Sequence, residues 1–201
     1  MRPDRPSVAV FRGGYTGESV ISHQSARRML EAIDRDRYDP FYITIAHDRW
    51  DAASPDGAEL EFDRATLQVH RNGRAIPTDF ALIAIHGAPG EDGRLQGLLD
   101  MLRIPYQTGG VLNMALTFSK YSTTAMLRQL AFPVANSLLL LRGEGTAEQR
   151  VLDQVGLPCF VKPDQSGSSI GISKVKARED LRPALDKAFV EGDVVMCEAF
   201  V

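Results

Sequence analysis

Disulfides, membrane spans and a basic face are all missing from this chain. It has only two cysteines, Cys159 and Cys197, too few for the disulfide framework of a small secreted domain. Each lies in an apolar, strand-like stretch, and their spacing makes no metal motif, so both read as buried free thiols of a reducing compartment. No apolar run approaches the roughly 20 residues needed to cross a bilayer. Positive charge is not in excess: the formal net charge is -3 at pH 7, which gives nucleic acid nothing to select. The stretch Met1–Pro6 carries two arginines but leads into strand-like residues, not into a signal-peptide core. A hydrophobic content of 44% and a charged content of 24% match an ordered globular chain. The expectation is a soluble, cytoplasmic protein with no nucleic-acid or membrane partner, and composition goes no further.

What is present alternates strand and helix. Ser7–Arg12 reads as a short buried strand, and Ser19–Ile33 carries apolar residues at helical spacing. Asp39–Ala46 is aromatic and β-branched, hence a strand. Leu60–Ile76 reads as a hairpin with Asn72-Gly73 as its tight turn. Phe80–Ile85 is a buried strand, Leu95–Leu102 a helix and Ile104–Tyr106 a short strand. Such alternation predicts an α/β layer with a mostly parallel sheet. The character changes near Gly109-Gly110, and a domain boundary is placed at 110–118. Beyond it, Leu116–Leu130 reads as one helix and Val134–Leu141 as a strand. Thr146–Val155 is a helix, Cys159–Lys162 and Gly171–Val175 are strands, and Arg178–Ala188 is a helix. The final strand, Asp193–Val201, has no turn or partner after it, so Val201 reads as a cut in a longer protein.

Four places suggest chemistry. Gly13-Gly14-Tyr15-Thr16-Gly17-Glu18 follows the opening strand, where glycines allow a sharp turn and a helix start offers free N–H groups. It is not a dinucleotide fingerprint, and such a loop alone is more often a tight turn than a binding site; Glu18 stands at a helix head, where a carboxylate can pair with a ligand ammonium. The run Ile85–Gly97 holds four glycines beyond a strand end, where open α/β sheets bind ligands. Within it, His86 is a ligand group or a loop cap, and Glu91-Asp92 reads as a turn capping the next helix. Phe160–Val175 places Lys162 at a strand end before a Ser/Gly loop, a combination suited to phosphate: a point charge plus loop N–H and hydroxyl groups. Lys120 sits on a helix beside Thr117 and Ser119, where a lysine is ordinarily just solvated.

The ordered set GGYTGE with Ser22 following, IHGAPGEDGRLQG, ALTFSK, FVKPDQSGSSIGISKV and the closing CEAFV resembles the D-alanine–D-alanine ligase family of the ATP-grasp superfamily. The match covers almost the whole chain. The resemblance implies an α/β architecture: an N-terminal open parallel-sheet, Rossmann-like (pre-ATP-grasp) domain at 1–115. After it, at 116–201, would come the first, smaller ATP-grasp subdomain, with the C-terminal catalytic subdomain absent. It also implies the reaction of two D-alanines and ATP to D-alanyl-D-alanine, ADP and phosphate for peptidoglycan. ATP phosphorylates one D-alanine carboxylate, and the amine of the second then attacks the acyl phosphate.

By the same resemblance, Glu18 would hold the first D-alanine's ammonium, and Ser168 would orient Glu18 from the loop closing over the reaction centre. His86 would lie near the carboxylate. Lys120 and Lys162 would bind ATP phosphates, with Ser168 and Ser169 in the loop over them. Glu198, Ala199, Phe200 and Val201 would hold the adenine. Mg2+ or Mn2+ would accompany ATP, its ligands belonging to the segment after Val201 and none to this chain. Homodimers are common in the family. Two departures stand out: Val20 occupies a place where the family often has a second acid, and the chain ends before the metal and second-substrate residues. The 201-residue chain is therefore expected to be inactive alone. The alternatives are an ATP-grasp ligase taking D-lactate or D-serine as second substrate, and a non-catalytic, nucleotide-binding short paralogue.

Overall fold

A computed structural model of the chain describes residues 5–201, so the reading of Met1–Pro6 falls, through residue 4, outside the described residues. The chain divides into two compact units, the first ending at Ala115 and the second spanning Leu116–Val201.

The first unit contains β1 (Ser7–Gly13), α1 (Ser19–Ala32), β2 (Asp39–Ile45), β3 (Trp50–Ala53), β4 (Glu59–Asp63), β5 (Gln68–Arg71), β6 (Arg74–Ile76), β7 (Phe80–Ile83) and α2 (Arg94–Met101). α3 (Val111–Phe118) straddles the division. One open sheet runs β6-β5-β4-β3-β2-β1-β7. β1 pairs in parallel with β2 and β7. It is nearly continuously apolar because both its faces are covered, as a parallel strand requires. Its alternate residues divide between two cores. Ala9 and Phe11 join Phe41, Ile43 and Leu95 on one face, while Val10 meets Ala26 and Leu30 of α1 on the other.

The expected parallel arrangement is confined to these three strands. From β2 onward every pairing is antiparallel, so the sheet is mixed. The hairpin turn stands at Asn72 and Gly73, with φ of 53° and 73°, the left-handed pair that a two-residue hairpin turn needs. Ile104–Tyr106 forms no strand of its own; Tyr106 makes a single parallel bridge to Ala81.

The second unit holds α4 (Lys120–Gln129), β8 (Ser137–Leu141), α5 (Ala147–Gln154), β9 (Cys159–Pro163), β10 (Ser173–Val175), α6 (Leu181–Val190) and β11 (Val194–Ala199). Its sheet runs β10-β9-β11-β8 and is antiparallel throughout. The single helix expected over Leu116–Leu130 is two, because Ser119 takes an extended backbone and its hydroxyl accepts from the Ser122 N–H as an N-cap. β11 lies inside the sheet and pairs with both β8 and β9. Cys159 and Cys197 are free and buried, as expected. Burial pushes the Cys197 thiol up to about 12, which leaves it protonated and inert at neutral pH. No helix among the described residues is long and apolar enough to cross a membrane.

Candidate active site

In the first unit the chain after β1 and the loop after β7 are laced together. The Tyr15 N–H donates to the Ala88 carbonyl at 2.8 Å. Thr16 Oγ1 accepts from the Glu18 N–H at 3.3 Å and donates to the His86 carbonyl at 3.4 Å. Ser22, fully buried on α1, donates from Oγ to the Glu18 carbonyl at 3.2 Å and accepts from the His86 N–H at 2.9 Å. One turn further along α1, Ser25 Oγ lies 3.0 Å from His86 Nε2. Gly87, at φ +73°, must be glycine for this approach: a Cβ there would lie 2.7 Å from Thr16 Oγ1. Glu18 and His86 are thus set on one hydrogen-bonded frame, with Glu18 itself 9% exposed. The frame offers a carboxylate and an imidazole, suited to the ammonium and carboxylate of a small amino acid.

Asp92 behaves as the turn cap the sequence suggested, accepting from the Arg94 N–H at 3.1 Å at the head of α2. Glu91 turns inward instead, its Oε2 accepting from the Gly87 N–H at 2.8 Å. Buried Gln96 donates to the Gly90 carbonyl at 2.7 Å and closes the other side of the loop.

In the second unit, strand pairing sets Lys162 of β9 opposite Met196 of β11 and Glu198 opposite Phe160, so that Lys162 and Glu198 are diagonal neighbours on one face, and the two form an ion pair. They line a cleft of about 300 Å³ together with Phe160, Ala199, Phe200 and Val201. The Phe160 and Phe200 rings stand 5.7 Å apart, and the Lys174 ammonium rests 3.2 Å from the Phe200 centroid. An aromatic wall, an acceptor and an ammonium group suit a flat heteroaromatic base with a phosphate tail.

The remaining residues of this unit singled out above lie outside that lining. Lys120 Nζ donates to the carbonyls of Pro163, Asp164 and Ser166 at 3.2, 3.1 and 2.6 Å, and so holds the root of the Ser/Gly loop. Ser168 and Ser169 are exposed at its tip, at φ of 48° and 58°. Asp164, 3% exposed, was not singled out. Its Oδ1 accepts from the Tyr121 N–H at 2.8 Å and ties α4 to the same root. Ser25 was also missed. A serine inside a helical repeat signals nothing until the loop it meets is known. Among the described residues no group of three His, Cys, Asp or Glu side chains is placed to hold a metal ion.

The family description "D-ala D-ala ligase N-terminus" matches residues 7–109, and "D-ala D-ala ligase C-terminus" matches residues 126–201. A D-alanine–D-alanine ligase of Phocaeicola vulgatus is 42% identical over 195 residues, covering 97% of this chain and 60% of that protein. The crystal structure of D-alanyl-alanine synthetase A from Vibrio cholerae superposes with a TM-score of 0.86 at 25% identity, covering 99% of this chain and 60% of that one. A D-Ala:D-Ser ligase from Enterococcus faecalis gives 0.81 at 26% identity, covering 98% of this chain and 63% of that one. The chain therefore spans about three fifths of the curated relatives it matches. By sequence and by fold, this chain belongs to the D-alanine–D-alanine ligase family.

Proposed function

We propose that this chain carries the first-substrate cradle and the nucleotide cleft of an ATP-dependent D-alanine–D-alanine ligase making peptidoglycan precursor in the cytoplasm. The observation that carries the reading is the frame in which Thr16 and Ser22 tie the Glu18 backbone to the His86 backbone. A rigid pair of this kind discriminates an amino acid by both its charged ends, because each partner is pre-positioned before the ligand arrives. Glu18 takes the ammonium of the first D-alanine and His86 its carboxylate. Lys162 meets the nucleotide phosphates, and Glu198, Ala199, Phe200 and Val201 take the adenine. Lys120 serves the phosphates and the loop root. Ser168 and Ser169 close over the transferring phosphoryl group, and Ser168 orients Glu18. The whole enzyme is a homodimer.

ATP supplies the activating phosphoryl group. Mg2+ or Mn2+ would neutralise its charge; among the described residues no group of three His, Cys, Asp or Glu side chains is placed to hold that ion. D-alanine is kept as the second substrate because relatives at 40–42% identity are named D-alanine–D-alanine ligases, whereas the D-serine enzyme stands at 26%.

The test is a 1H–15N NMR titration of the chain with D-alanine, L-alanine and ATP. D-alanine should shift the amides around Glu18 and His86, and L-alanine should not. ATP should shift β9 and β11. Glu18→Gln should abolish the first response and Lys162→Met the second. Equal responses to the two alanine enantiomers would sink the reading.

A further inference from the structure

We propose that Ser25 is a positioning residue for His86, fixing the imidazole so that Nδ1 carries its proton and presents it to the ligand carboxylate. The inference rests on the proposed function for the ligand, but not for the ring geometry. Ser22 and Ser25 stand one turn apart on α1, so both reach the strand-end loop. Ser22 holds the His86 backbone at 2.9 Å, and Ser25 meets the ring at Nε2 at 3.0 Å.

A neutral imidazole has one donor and one acceptor nitrogen, and the group bonded at one end decides which nitrogen keeps the proton. A serine inside a helix ordinarily turns its hydroxyl back to the carbonyl four residues earlier. Ser25 has His86 Nε2 as its partner instead. Donating to Nε2 is the use the structure offers for that hydroxyl proton, and it leaves the ring's own proton on Nδ1. No described residue occupies Nδ1. If the ring gains a second proton, the hydroxyl rotates to accept from Nε2–H, and Nδ1 remains a donor. Either way the nitrogen free to meet an anion is a donor.

The experiment records imidazole 15N shifts of His86, assigned by comparison with His86→Gln, in the native chain, Ser25→Ala and Ser25→Thr at a pH where the ring is neutral. The native ring should show a protonated Nδ1 and an unprotonated Nε2. Ser25→Ala should move it toward the Nε2–H form, and Ser25→Thr should restore it. D-alanine affinity, from the same titration as above, should fall about three- to tenfold in Ser25→Ala, the value of one hydrogen bond, and recover in Ser25→Thr. Unchanged ring shifts in Ser25→Ala would overturn the proposal, as would an altered ring with unaltered affinity. If the ring responds as expected but D-alanine binds neither native nor variant protein, the hold of Ser25 on His86 stands and the D-alanine reading falls.

Discussion

The loop after β7 and the loop after β9 both leave strand ends, and both are rich in small residues, yet they are held differently. In the first, Gly87, Pro89, Gly90 and Gly93 are buried. Its backbone is tied within itself by the Gly90 and Glu91 N–H groups, both donating to the Gly87 carbonyl at 2.9 Å. Side chains of Glu91 and Gln96 fix it from either side. The second is fixed at its root by buried Asp164 and by the Lys120 ammonium, while its tip carries turn hydrogen bonds from the Ile170 N–H to the Gly167 carbonyl at 3.1 Å and from the Ile172 N–H to the Ser169 carbonyl at 3.4 Å. Gln165 and Ser168–Ile170 face solvent. A cradle must hold its shape before the ligand comes, and a cover must be free to change shape afterwards. On the function proposed above the two loops would divide those duties, and the division can be broken from each side.

The largest effect is expected from Gly90→Ala. A Cβ at Gly90 would stand 2.6 Å from both Cβ and the carbonyl oxygen of Ile85. That overlap with backbone cannot be relieved by a rotamer change. Destabilisation of about 3 kcal/mol follows from overpacking of this kind, read as a lower urea midpoint. Ser169→Ala at the exposed tip of the second loop should change stability by no more than about 0.5 kcal/mol. Equal costs at the two positions would remove the distinction between a rigid and a compliant loop.

Asp164→Ala attacks the second loop where it is held. It removes the buried acceptor of the Tyr121 N–H, and leaving that donor unsatisfied should cost about 2 kcal/mol. Protease cleavage between residues 165 and 170 should quicken at the same time. Asp164→Asn keeps an acceptor oxygen and should recover most of the loss in both measurements. A variant as stable and as resistant as the native chain would mean that the root is held by Lys120 alone.

Much of this architecture could be read before the fold was known, and the omissions have physical reasons. β1, β2 and β7 announce themselves through continuous apolar or β-branched residues, because burial on both faces demands them. Trp50–Ala53 does not, since a four-residue strand with an aspartate and two alanines offers only Trp50 as a β-favouring residue. Apart from the hairpin at Asn72-Gly73, the antiparallel half of the sheet escaped notice for a related reason: strand direction depends on pairing partners, which local pattern does not encode. The break between α3 and α4 was hidden because the apolar period continues across Ser119, while the cap depends on one hydroxyl reaching Ser122. At the candidate site, Glu18, His86, Lys120 and Lys162 could be named from motif and resemblance. The supports Thr16, Ser25 and Asp164 could not, since their meaning lies in what they touch.

A small effect at Ser168 best separates stability from function. Ser168 holds φ at 48°, a left-handed conformation that burdens any residue with a Cβ. Ser168→Gly should therefore leave the fold intact or stabilise it by up to about 1 kcal/mol, measured by thermal or urea unfolding. If Ser168 were only a turn residue, that gain would be the whole story. A serine kept in a strained backbone at an exposed tip instead points to work for its hydroxyl, here the proposed contact with Glu18 and the phosphoryl group. The glycine variant should then be more stable and yet weaker in D-alanine-dependent response to ATP, with Ser168→Ala sharing the second effect without the first. A glycine variant that gains stability and keeps its ligand response would reduce the second loop to a hairpin end.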